Sequence, residues 1–170
     1  MKYTLAVVGD SGCGKSTWIW RYISGKFDQD INVNGIDTRN KDIILDNVKV
    51  NVNIRDTGGQ ERYRTMTTTH YRNVQGVILI FDITNPKSFN SIGAGWYNEA
   101  QTYASKYTLK VLIGNKSDLS SARQVPYETG KTFAEEMRME YFETSSVTGE
   151  NISEVVQYMI RELKGRGPAD

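Results

Sequence analysis

The chain has 170 residues, 38% of them hydrophobic, which is enough for one globular unit with a substantial core. Its 21 basic and 20 acidic residues leave a formal net charge of +1, and no long run of one sign suggests a nucleic-acid surface. Cys13 is the only cysteine, which excludes an internal disulfide, and no stretch reaches the roughly 18 consecutive apolar residues that a membrane-spanning helix needs.

In chain order, 3–8 reads as a short buried strand and 14–24 as a helix. Segments 43–45 and 48–54 read as a hairpin turning at Asp46-Asn47, because Val48, Val50, Val52 and Ile54 alternate with Lys49, Asn51 and Asn53. Segments 76–81 and 109–113 are further apolar strands, and 141–143 is a last short one. Helices are expected at about 61–72, 87–105, 127–138 and 151–164. The final helix carries Ile152, Val155, Val156, Met159, Ile160 and Leu163 on one stripe, with Asn151 and Glu154 placed as a capping pair. Strand–helix alternation of this kind predicts an α/β fold, with a mostly parallel sheet and helices on both faces. Ligands of such sheets sit at the carboxyl ends of the strands. The motifs fall there.

Gly9-Asp10-Ser11-Gly12-Cys13-Gly14-Lys15-Ser16 follows the first strand and opens the first helix, in the pattern G-x-x-x-x-G-K-S. Backbone N–H groups of such a loop wrap a phosphate, and the helix N-terminus favours its charge. Lys15 would bridge the β- and γ-phosphates, and Ser16 would give its hydroxyl to Mg²⁺. The candidate phosphate-binding set is Ser11, Gly12, Cys13, Gly14, Lys15, Ser16 and Thr17, with Gly59 from a later loop. Asn115-Lys116-Ser117-Asp118 follows the strand at 109–113. A carboxylate at Asp118 can accept from N1–H and the 2-amino group of guanine, donors that adenine lacks. Asn115 would orient this loop, and the Lys116 stem would cover the base. Asp56-Thr57-Gly58-Gly59-Gln60 begins where the alternating strand ends. Asp56 can hold Mg²⁺ through water, the Gly59 N–H can reach a terminal phosphate, and Gln60 can orient an attacking water. Gln60 and Lys15 are thus the candidate catalytic residues.

The segments GDSGCGKS, DTGGQERYRT, HYRNVQGVILIFDIT, IGNKSD and ETSS, in that order, resemble the Ras-like small GTPases, and within them the Rab family. The resemblance runs from Lys2 to about Leu163, with 1–164 expected as one GTPase domain and 165–170 as a short tail. It implies a Ras-like P-loop NTPase domain with a six-stranded sheet, GTP/GDP and Mg²⁺ as cofactors, and slow GTP hydrolysis in a nucleotide-dependent switch of vesicle trafficking. It also implies a cytoplasmic monomer that meets an exchange factor, a GTPase activator and effectors. Membrane attachment would need a lipidated tail, and 165–170 has no cysteine for one. By position, Ser145 and Ser146 would support the base, Ser146 through its backbone N–H, and Phe27 would pack on the base edge.

The sequence departs from that pattern in several places. Asn32-Val33-Asn34-Gly35-Ile36-Asp37-Thr38 puts Val33 where Rab proteins have a threonine that binds Mg²⁺. The stretch from Phe27 to Gly35 is one residue short. Hydrolysis slower than in a typical Rab is expected, and a non-hydrolysing guanine-nucleotide module is the second reading. Thr38, Arg55 and His70 stand at three positions where Rab effectors commonly read aromatic side chains, Gly58 replaces an alanine, and Val147 a lysine. One extra residue before Trp96, with Gly93 and Gly95 nearby, predicts a bulged or unwound third helix. His70 reads as a surface residue, Trp18 and Trp20 as core, and Cys13 as a small packing residue.

Overall fold

Apolar and β-branched runs form six strands in the computed structural model, which describes residues 1–28, 37–57 and 69–167. They are β1 Lys2–Val8, β2 Asp37–Leu45, β3 Val48–Asp56, β4 Gly76–Asp82, β5 Leu109–Asn115 and β6 Glu140–Thr144, in the sheet order β2-β3-β1-β4-β5-β6. Only the β2–β3 pair is antiparallel. Its turn uses Asp46 and Asn47 at φ 51 and 64, the left-handed pair that a two-residue hairpin loop requires. β2 begins well before the expected 43, because its first half is polar and shows no apolar alternation: Thr38, Asn40 and Asp42 are exposed. Backbone pairing with β3, such as Thr38 opposite Arg55, carries it.

Successive side chains of a strand point to opposite faces, and here both faces are covered. Leu5, Val7, Ile78, Ile80, Val111 and Ile113 face one core, under α1 (Lys15–Ser24) and α5 (Ile152–Gly165). Ala6, Val8, Val77, Leu79 and Phe81 face the other, which Ile92, Trp96, Ala100 and Ala134 complete. All six stripe residues of α5 are buried, each worth about 1.5–3 kcal/mol. Its start differs from expectation. Asn151 has left-handed backbone (φ 60) and no capping bond, because its amide donates to the Glu143 carbonyl at 2.9 Å. The end of β6 captured the cap.

The expected third helix is three pieces. α2 (Pro86–Ser91) is capped by Asn85, whose side chain accepts from the Lys87 N–H. A π-helical turn follows at Ile92–Trp96, and α3 (Tyr97–Tyr103) completes the run. The Tyr97 N–H donates to the Ile92 carbonyl, five residues back, so the turn absorbs one extra residue. Ile92, Trp96 and Ala100 consequently stay on the buried side. The predicted irregularity is borne out, at the two glycines. α4 is Tyr127–Glu136. Most of the helix expected at 61–72 lies outside the described residues; 69–71 form a short 3-10 turn. Among the described residues no helix is long and apolar enough to cross a membrane.

Candidate functional site

The ends of β1, β3 and β5 converge, and the loops after them meet. After β1 the chain passes so close to β4 that a Cβ on Gly9 would collide with the Ile80 carbonyl oxygen. Gly14 turns into α1 with φ 95, and a Cβ there would meet the Asn115 amide at 2.7 Å. Both positions therefore require glycine. Gly14 at the N-cap has no side chain to cap α1, so its first N–H groups are left to the loop itself. Cys13 is buried, as expected of a packing residue. Lys15 is buried too, its ammonium donating to the Gly9 carbonyl at 2.7 Å and the Asp10 carbonyl at 3.0 Å. Thr17 Oγ1 donates back to the Gly14 carbonyl at 2.9 Å. Ser16 lies between them in the first turn of α1, half-buried.

The loop after β5 is tied to this one by side chains. Asn115 Nδ2 donates to the Cys13 carbonyl at 3.1 Å, and Lys116 Nζ to the Gly12 carbonyl at 2.9 Å. Lys116, at φ 70, also pairs with the Asp82 carboxylate at 2.9 Å. Behind Asn115 runs a buried chain: Trp18 Nε1 donates to Thr144 Oγ1 (3.1 Å), and Thr144 Oγ1 donates to Asn115 Oδ1 (3.0 Å). Trp18 is core, as expected, whereas Trp20 is only half-buried, with the Arg39 guanidinium 5.4 Å above its ring.

Asp118 is oriented by Ser145, whose hydroxyl donates to Asp118 Oδ1 at 2.8 Å and accepts from the Thr148 N–H. Arg21 of α1 holds the same turn through the Val147 and Thr148 carbonyls. Ser146 is buried, and its hydroxyl has no partner among the described residues. Beneath lies a tie of Arg123 and Tyr141 to the Glu143 carboxylate. The bond to Glu143 raises the Arg123 pKa, and burial raises that of Tyr141. Phe27 is 41% exposed at the edge of the described segment.

At the end of β3, Asp56 is buried beside Val7, and the Thr57 hydroxyl donates to the Val7 carbonyl at 2.7 Å. Val33, Gly58, Gly59 and Gln60 lie outside the described residues. His70 is a correction. It is 1% exposed rather than at the surface, and neither ring nitrogen has a hydrogen-bond partner among the described residues. Burial first, then the Arg55 charge, pushes its pKa down to about 4. Arg55 itself turns back to donate to the His70 and Arg72 carbonyls. Of the three positions read as an effector face, Thr38 alone is fully exposed.

A model of the Ras family, tested against the chain, matches residues 4–165. The chain belongs to the Ras family. It is 38% identical to the GTP-binding protein ypt2 of Schizosaccharomyces pombe over 94% of this chain and 80% of that protein. It is 37% identical to the Ras-related protein RABD2a of Arabidopsis thaliana, over 96% and 81%. With the Ras-related protein RAB1BV of Beta vulgaris the identity is 40%, over 95% and 76%. Within the Ras family the chain is thus closest to the Rab type. Sequence reasoning missed Thr144, Asp82, Arg21 and the Asp10 side chain. Thr144 lies inside ETSS and could have been suspected, but nothing local marks Arg21, and the Asp82 carboxylate, which also accepts from Thr84 nearby, gives no local sign of its long-range pairing with Lys116.

Proposed function

We propose that this member of the Ras family is a Rab-like small GTPase of membrane trafficking, which binds GTP and GDP and hydrolyses GTP. One observation carries the site. The Asn115 and Lys116 side chains bond to carbonyls of the loop at Gly12 and Cys13, so the base-reading and phosphate-wrapping loops form a single cradle.

In this reading the backbone of residues 11–17 wraps the phosphates, and the Lys15 ammonium, held by the Gly9 and Asp10 carbonyls, directs its remaining N–H to the β- and γ-phosphates. Asp118 accepts from guanine, held in position by Ser145, while Ser146 offers its backbone N–H and Phe27 the base edge. Ser16 and Asp56 supply a hydroxyl and a buried carboxylate, hard oxygen donors that suit Mg²⁺. Among the described residues no group of three or more His, Cys, Asp or Glu could cage a metal. When bound, Mg²⁺ neutralises charge on the β- and γ-phosphates. Gly59 and Gln60, by sequence position, meet the terminal phosphate and the attacking water. The protein acts as a monomer, with residues 1–164 as its nucleotide-binding domain and exchange factors, activators and effectors as partners.

A single-turnover GTP assay with Lys15→Ala as the blank tests this. Release of phosphate by the wild type alone is expected. Tight GTP binding without phosphate release would replace it with the non-hydrolysing module. GDP competing no better than ADP would remove the guanine reading altogether.

A further inference from the structure

The π-helical turn delivers one side chain to the phosphate loop. Trp96, 4% exposed, donates its indole N–H to Asp10 Oδ1 at 2.8 Å, across 86 residues of sequence. Asp10 is the first residue of the loop after Gly9, and its carbonyl accepts from both the Lys15 ammonium (3.0 Å) and the Cys13 N–H (3.3 Å). A carboxylate in a loop that wraps an anion is electrostatically unfavourable unless it is turned away and given a donor. The indole does both.

We propose that Trp96 is a positioning residue for the phosphate loop, acting through the Asp10 side chain to fix the carbonyl that holds Lys15. The extra residue of this chain would rotate Trp96 off the core face of a regular helix by about 100°. The π turn removes that rotation and keeps Ile92, Trp96 and Ala100 buried together. The inference rests on reading the loop as a phosphate site, and it adds a residue that touches no ligand.

The test compares GDP with GMP, which lacks the β-phosphate, in displacement titrations at constant Mg²⁺. Trp96→Phe keeps an aromatic ring and loses the donor. It is expected to weaken GDP about tenfold, the usual scale for a bond to a charged group, and to leave GMP within about twofold. In the Asp10→Ala background, Trp96→Phe should then change nothing. Equal losses for GDP and GMP, no loss for GDP, or additive losses in the double variant would each overturn the proposal while leaving the site reading intact. Absence of GDP binding by the wild type would overturn both. If Trp96→Phe does not fold, Asp10→Asn against Asp10→Ala decides. Asn keeps an acceptor oxygen and should retain GDP affinity, whereas Ala should lose about tenfold. Equal affinities for these two overturn it.

Discussion

The proposed base side of the site and the end of β3 lie in different halves of the sheet, and they are built differently. On the base side, Trp18, Thr144, Asn115 and the Cys13 carbonyl form one continuous hydrogen-bonded chain, and Ser145 aims Asp118. On the other side, Thr57 and Arg55 hold backbone carbonyls, and His70 is buried with both ring nitrogens unpartnered among the described residues. Most departures from the Rab pattern, Val33, Thr38, Arg55, Gly58 and His70, belong by sequence to the second set, and one, Val147, belongs to the base-side turn, where Asn115, Lys116, Asp118 and Ser145 keep the motif. On the proposed reading, the groups meant for guanine are mostly prebuilt in hydrogen-bonded side chains, and most sequence changes lie toward the terminal phosphate and partners.

The sharpest break of that contrast is at Asp118. Asp118→Asn removes the carboxylate proposed to accept two donors from guanine, and GDP affinity should fall about 1000-fold, about 4 kcal/mol. Xanthosine diphosphate should improve in the same competition titration. A loss under tenfold would mean that Asp118 does not read the base.

His70 tests the other half through stability. Its folded pKa, about 4, lies below the ordinary 6.5, so the unfolded chain takes up the proton first. Stability is fully present above pH 6.5 and falls as pH drops toward 4, by about 3 kcal/mol from this group alone. Urea melts with GDP held saturating should show that slope in wild type and a flatter one in His70→Leu. Parallel profiles would show that His70 is hydrated and titrates normally.

Thr144→Val probes the buried chain directly. It leaves the Trp18 indole N–H and Asn115 Oδ1 without their shared hydroxyl, at about 2 kcal/mol, read as lower urea stability and faster GDP release. Unchanged GDP release would show that the base loop does not depend on the chain behind it. The smallest effect is expected at Gly95, which has open space around its missing Cβ and no positive φ. Gly95→Ala should raise stability by about 0.8 kcal/mol without altering GDP affinity. A loss in affinity there would mean that the π turn must flex for binding.

Local chemistry was legible in the sequence. Strict alternation marked β3, a helical stripe marked α5, and the three motifs fell at strand ends as expected, because those signals depend on residues within one turn or one loop of each other. The bulge before Trp96 was legible as well, since an extra residue and two glycines leave a helix few alternatives. The polar half of β2 was not, because an edge strand held by backbone pairing needs no apolar pattern. Only the tertiary structure decided that Asn151 turns to Glu143 instead of capping α5, and that His70 is buried beneath Arg55. It alone joined Trp18 to Thr144 across 126 residues and Trp96 to Asp10 across 86. A side chain's partner is set by where the sheet brings distant strand ends together, and no property of its own neighbours in the chain carries that distance.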